Sequence, residues 1–288
     1  MKTTTKVLII ACIVGLSLLL YPNVANYWNE IHATHAINNY VNNVGSITPQ
    51  QFREMWEKAV LYNEKLNERE NMQALTDEMR EEYYQTLDFS GTGVMGYIDI
   101  SKLGVSLPIY HGTSAEVLQI AVGHVEWTSL PVGGKSTHCV VSGHRGLPSA
   151  KLFTDLDRLR EGDTFTITIL TEVLTYEVDQ IRIVLPSEVN SLKIEPGEDY
   201  CTLVTCTPYG INTHRLLVRG RRIETTKGSV VVVAEGVEID PLVVAPVVEF
   251  PLLFILFMRV MLKKPEKKYK HDVETIQNLL NNERKGSK

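Results

Sequence analysis

The sequence predicts a mainly β fold, a closed or nearly closed barrel of about eight short strands, preceded by helices and flanked by apolar segments. Three observations carry that expectation. Between Gly93 and Ile223, short β-branched and apolar runs recur with turn residues between them. Before Ser90 the apolar residues recur instead at helical spacing. Residues 7–20 and 242–262 are apolar stretches in a chain of 288 residues whose composition is otherwise that of a globular protein.

The elements follow in order. Val7–Leu20 lies behind Lys2 and Lys6 and runs into Tyr21-Pro22-Asn23 without an A-x-A cleavage site, so residues 1–24 read as an uncleaved membrane anchor. Residues 25–90 read as helical. Ile31, Ile37, Val41 and Val44 mark a first helix, on which His32 and His35 stand three apart. That spacing can bind a metal, but no further ligands lie nearby, and a solvated face is the simpler reading. Thr48-Pro49 has the form of an N-cap followed by proline at the first helical position, and Phe52, Met55, Trp56, Ala59 and Leu66 make a packing stripe. Thr76-Asp77-Glu78 opens a short helix that fades by Leu87.

Ser90-Gly91-Thr92-Gly93 marks a change of composition and opens a domain spanning 91–225. Strands are expected at 94–100, 105–110, 137–144, 164–170, 173–178, 181–185, 200–206 and 215–223. A short helix is expected over 115–121, and a helix or loop over 150–159. Residues 226–241 form a linker. Leu242–Leu262 then reads as a second span, with a buried hairpin as the alternative, because it carries Glu249, Arg259, Pro246 and Pro251. A carboxylate mid-span costs roughly 3 kcal/mol. Lys263, Lys264, Lys267 and Lys268 follow at once, and the positive-inside rule then puts both termini in the cytoplasm and the middle outside the cell. The tail, 263–288, has eight Lys/Arg against four Asp/Glu and reads as a contact for anionic lipid.

The net charge of −5, with basic residues concentrated at the ends, leaves an acidic exterior section that argues against nucleic-acid binding. Gly133-Gly134-Lys135 lacks the rest of a phosphate-binding loop and reads as a turn. No cofactor or metal is expected. The four cysteines do not form a disulfide framework. Cys12 lies in the first apolar run, Cys139 reads as a buried small hydrophobe, and Cys201 and Cys206 are five apart in one extended segment, facing opposite ways.

The chemistry centres on T-L-V-T-C-T-P-Y-G-I-N-T-H-R, residues 202–215. A strand ends at Cys206, a Pro-Tyr-Gly turn breaks it, and Arg215 begins the next strand, on the same rim if the two are antiparallel neighbours. Positive charge beside a thiol favours the nucleophilic thiolate. Cys206 is therefore the candidate nucleophile. Arg215 is the candidate for stabilising charge on a substrate oxygen or orienting the substrate, with a surface salt bridge as its bland alternative. His144, followed by Arg145-Gly146 and so expected at an exposed rim, is the candidate acid/base; His111, His124, His138 and His214 are weaker on position.

Those segments, with G-V-M-G-Y-I-D-I, L-P-I-Y-H-G-T-S, T-S-L-P-V-G-G and T-H-C-V-V-S-G-H-R-G-L-P-S-A-K-L-F-T-D-L, resemble the sortases, and most closely the class C, pilus-assembling group. The resemblance runs from Gly93 to about Ile223. It implies an eight-stranded sortase barrel outside a Gram-positive cell membrane, with Cys206, His144 and Arg215 as catalytic trio. Cys206 would attack the Thr–Gly bond of an LPXTG-like sorting signal to form a thioacyl enzyme. His144 would protonate the leaving amine and deprotonate the incoming one, a lysine of the next pilin subunit. Two alternatives are anchoring of surface proteins to a peptidoglycan amine and a non-catalytic membrane scaffold. Many class C sortases carry an Asp-Pro-aromatic lid. Its counterpart here, Thr76-Asp77-Glu78-Met79, lacks the proline and the ring. Asp77 would meet Arg215 and Met79 would rest on Cys206 if a lid survived; the departure implies an absent or degenerate one.

Overall fold

The computed structural model describes residues 3–225, with residues 254–255, 257–259 and 276–278 beyond them. The chain divides into two units, Met1–Val237 and Glu238–Lys288, and the described residues of the second are helical. The expected linker, and most of the second span and the basic tail, lie outside the described residues.

The first unit opens with α1, Thr3–Val44, one helix that continues through Pro22. The anchor and the juxtamembrane helix read separately from the sequence are thus a single rod, and it is long and apolar enough to cross a membrane. α2, Pro49–Asn67, starts as its cap predicts. Thr48 Oγ1 accepts from the Gln51 N–H, and the Gln51 side chain accepts from the Thr48 N–H, so two end donors are satisfied reciprocally. It buries Ala59, Tyr62 and Leu66. Buried Asn63 mimics a backbone partner, donating to the Leu130 carbonyl at 3.0 Å and accepting from the Leu130 N–H at 2.7 Å. α3, Asp77–Gln85, is capped by Thr76.

The barrel comprises β1 Val94–Ile100, β2 Val105–His111, β3 Val122–His124, β4 Thr137–Ser142, β5 Thr164–Ile169, β6 Glu172–Val184, β7 Asp199–Thr207 and β8 His214–Ile223, with the short helix α4, Ala115–Ile120, between β2 and β3. It closes in the order β1-β2-β3-β4-β7-β8-β6-β5. The β2–β3 and β4–β7 pairs are parallel and the rest antiparallel. The eight-stranded count holds, although two strands were read differently. The runs at 173–178 and 181–185 are one strand, β6, whose apparent break is a bulge between Val178 and Gln180 against β8. The extra residue, Asp179, holds Arg219 bidentately at 2.8 and 3.0 Å. β3 went unread because three residues are too few to show a period of two. Residues 150–159 contain turns and a 3-10 turn at Leu156–Arg158.

Every residue of β1 is buried. One face lines the barrel interior with Ile167, Val141, Leu203 and Val218, and Ile37, Tyr40 and Val44 of α1 belong to the same continuous core. Tyr40 is buried yet satisfied, donating to the Met95 carbonyl at 2.9 Å and accepting from the Leu170 N–H at 2.6 Å. Burying an aromatic ring contributes about 1.5–3 kcal/mol, so this side chain fastens α1 along the barrel.

Candidate active site

β7 and β8 are antiparallel, and their register sets Cys206 directly opposite Arg215, with Thr207 opposite His214 as the last rung. Directly opposed residues project to the same face, with Cα atoms about 4.5–5.5 Å apart. The same rung continues to Val184 on β6. Cys201, an odd number of residues back along β7, faces inward and is buried opposite Cys139, whereas Cys206 is half-buried at the rim. All the described cysteines are free, and burial pushes the Cys201 thiol well up.

The parallel neighbour β4 ends at Ser142, opposite Val204, and its next residues are Gly143 and His144. The strand expected to reach residue 144 therefore stops two residues short, and His144 begins the loop at the same rim as Cys206. Gly143 is required there. A Cβ would come 2.7 Å from the Phe153 ring and 2.9 Å from Val122. Gly146 turns with φ +77°, and a Cβ there would meet the Tyr209 ring at 2.9 Å. The His144 ring is half-buried rather than exposed and makes no hydrogen bond to the described residues; burial pushes its pKa down and favours the neutral imidazole.

Sequence reading missed the lacing that joins the two loops. The Gly143 N–H donates to the Val204 carbonyl at 3.0 Å, and buried Thr205 Oγ1 donates to the Gly143 carbonyl at 2.7 Å. Arg145, read only as a sign of exposure for its neighbour, is itself nine-tenths buried. It forms an ion pair with Asp157, donates to Thr207 Oγ1 at 3.3 Å and lies 6.0 Å from the Tyr209 ring centroid. The signal available was position, since Thr205 and Thr207 flank Cys206 and Arg145 follows His144.

Arg215 is half-buried. Its Nη1 donates to the Asn212 and His214 carbonyls at 3.2 and 3.1 Å, and no carboxylate among the described residues pairs with it. Two carbonyls thus aim the guanidinium without neutralising it, leaving its remaining N–H groups for an incoming oxygen. Beside this rung, Val204 and Leu217 share the face of Cys206 and Arg215, by the two-residue period of strands. With Val140, Val184, Leu192, Val125 and Trp127 they form a buried apolar cluster separate from the barrel core.

The other histidines are placed elsewhere. His138 is buried, its Nδ1 2.8 Å from the Lys193 carbonyl, so Nδ1 donates and Nε2 accepts from Thr202 Oγ1 at 2.7 Å. His124 and His111 are buried among carbonyl and hydroxyl partners, and His214 meets Thr213. His32 and His35 lie on α1. Among the described residues no group of three or more His, Cys, Asp or Glu side chains gathers as a metal site.

α3 docks at the β2–β3 wall. Tyr83 Oη sits 3.0 Å from His124 Nδ1 and accepts from the Gly112 N–H at 2.9 Å, and Tyr84 Oη donates to Glu126 at 2.5 Å. Asp77 is not at Arg215: its side chain is 98% exposed and its ion partner is Arg80 at 3.8 Å. Met79 packs against the continuous core that holds Tyr83, and is not among the apolar residues beside Cys206. The reason is the cap at Thr76, which makes Asp77 the first helical residue and points it to solvent.

Comparison with known proteins gives a consistent result. The family model for the sortase domain matches residues 98–223. Sortase D of Bacillus subtilis is 28% identical over 131 residues, 44% of this chain and 63% of that protein, so the match leaves over a third of that relative's length uncovered. The crystal structure of sortase C1 from Streptococcus agalactiae is 48% identical with a TM-score of 0.64, covering 66% of this chain and 99% of that one. Streptococcus pneumoniae sortase C is 41% identical with a TM-score of 0.61, covering 66% and 97%.

Proposed function

The chain belongs to the sortase family, and on that premise we propose that it is a membrane-anchored cysteine transpeptidase that joins LPXTG-like sorting signals to an amine. The observation that carries this reading is the Cys206–Arg215 rung at the barrel rim, with His144 at the end of the neighbouring strand. Cys206 attacks the carbonyl of the Thr–Gly bond, and Arg215 offers its free N–H groups to the oxygen that gains charge. Neutral His144 takes the Cys206 thiol proton as the sulfur attacks and then gives it to the leaving glycine amine. The thioacyl enzyme then yields to a second amine, from which neutral His144 takes the proton. Water is the unproductive competitor.

The acceptor we propose is a lysine of a pilin subunit, giving an isopeptide-linked polymer. Supporting it are the class C relatives at 41–48% identity, of which the S. pneumoniae enzyme is described in terms of pilin substrate specificity. Anchoring to a peptidoglycan amine is the second reading, favoured by Asp77, which pairs with Arg80 instead of lying on Arg215. The barrel faces outward from the membrane in either case, with both termini in the cytoplasm. The test is mass spectrometry of the full chain in detergent with an LPXTG-type peptide, then with a lysine-bearing pilin fragment or a peptidoglycan stem amine. A thioacyl adduct that Cys206→Ala abolishes is expected, released faster by the pilin lysine. An adduct released only by the stem amine would select wall anchoring. Undiminished function of Cys206→Ala in cells would leave a non-catalytic scaffold.

A further inference from the structure

Within the barrel, 94–225, the large apolar side chains that stand exposed are Ile120, Ile183, Leu185, Tyr209 and Ile211. All five lie at one end. Ile183 is opposite Leu216 in the rung next to Cys206–Arg215, one step in from it, and Leu185 follows the last residue of β6. Tyr209 and Ile211 are in the β7–β8 loop. Ile120 precedes Val122, the β3 residue that closes over Gly143. At the opposite end, where Thr137 faces Asp199 and Ile169 faces Glu172, the barrel's own described residues expose no such side chain, and the helices beside it carry exposed Val41, Leu61 and Tyr84.

α1 fixes where that end sits. It lies along the barrel with Tyr40 at the far end, bonded to Met95 and Leu170, and Asn26 and Asn29 at the apolar end. There the Lys151 N–H donates to Asn26 Oδ1 at 2.6 Å and Asn29 Nδ2 donates to the Ile120 carbonyl at 3.1 Å. A hydrocarbon core takes about 20 helical residues. Counted from Val7, behind Lys6, its outer boundary falls near Asn26-Tyr27-Trp28, where two aromatic residues stand as interfacial side chains do. The barrel thus meets α1 at the boundary itself, with no spacer. Exposed Tyr21, Val24 and Trp28 share a groove with Ile120 and Ser149.

We propose that this end of the barrel rests on the lipid surface, with Ile120, Ile183, Leu185, Tyr209 and Ile211 in the headgroup region. Two features point to lipid as the occupant: continuity of the patch with a helix apolar enough to span, and concentration of the barrel's own exposed apolar side chains at the end where that helix leaves. On the reading of Cys206 and His144 given above, the nucleophile then faces the bilayer and attacks a peptide bond close to it. That consequence rests on the reading; the docking itself does not.

The experiment uses the full chain in vesicles of phosphatidylcholine and phosphatidylglycerol, with Cys12→Ala and Cys206→Ala removing the accessible thiols. Single Ile120→Cys, Ile183→Cys and Ile211→Cys positions carry a polarity-sensitive fluorophore, and Glu172→Cys marks the opposite end. Headgroup-nitroxide lipid is expected to quench the first three several-fold more than the label at 172. Ile183→Glu with Ile211→Glu should reduce quenching of the Ile120→Cys label. Equal quenching at both ends would overturn the proposal. So would labels at 183 and 211 that ignore lipid but shift to the blue on adding a sorting-signal peptide, which would assign the patch to substrate. Neither readout depends on activity, so the docking and the transpeptidase reading fail separately.

Discussion

Thr205 Oγ1 donates a 2.7 Å hydrogen bond to the carbonyl of Gly143, so the residue before the candidate nucleophile holds the residue before the candidate base. Both partners are buried. Thr205→Val keeps the shape and leaves that carbonyl unsatisfied, at a cost of about 1–3 kcal/mol. Denaturant unfolding should show that loss. Thioacylation should fall on the order of tenfold or more, because small misplacements of reacting groups are costly in rate. An unchanged rate in a destabilised variant would reduce Thr205 to a purely structural role.

Arg215 is held by the Asn212 and His214 carbonyls and by no described carboxylate. Removing it breaks no ion pair, so Arg215→Ala should leave stability within about 0.5 kcal/mol. The rate of adduct formation should fall by about 10²–10³-fold, the usual loss for a donor to a developing oxyanion. Arg215→Lys should not restore it, since a lysine cannot reproduce the planar fork. Single-turnover mass spectrometry separates these outcomes.

His138 gives a pH dependence of stability. Burial pushes its ring down to about 4. His111 and His144 are lowered by the same cause. Unfolded, a histidine binds its proton near pH 6.5. Between those values the unfolded chain holds more protons than the folded one, so stability rises with pH and is lost as pH falls from about 6.5 towards 4. The His138 contribution is on the order of 3 kcal/mol across that window. Thermal melts from pH 7 to 4.5 should show the decline, and His138→Gln should flatten it.

Tyr83 and Asp77 stand on one short helix with opposite expectations. Tyr83 is fully buried against His124 and Gly112, so Tyr83→Phe should cost about 1–3 kcal/mol and speed proteolysis in α3. Asp77 is solvent-exposed, so Asp77→Ala should change stability little and should not accelerate adduct formation. An acceleration would mean that Asp77 reaches Arg215 in another state of the chain.

The sequence by itself determined the barrel, the caps and the candidate residues, because these depend on short-range rules. Thr48-Pro49 and Thr76 cap helices where they stand, since capping is local to one turn. Short apolar and β-branched runs between turn residues announced β1, β2 and β5. Cys206, the turn after it and Arg215 were legible as antiparallel neighbours because a short loop leaves little other choice. What required the tertiary structure was everything set by pairing between distant segments. β3 is a strand only because β2 and β4 flank it, and β6 is one strand only because β8 runs past its bulge. The place of His144 beside Cys206 comes from the parallel β4–β7 ladder across some 60 residues of chain, which local periodicity does not encode. Asp77 stands where a lid aspartate would, in a segment whose departure from the lid pattern already implied a degenerate lid, and Tyr83, six residues on, docks α3 to the β2–β3 wall. Burial of one ring, more than the identity of the aspartate, decides where that segment lies.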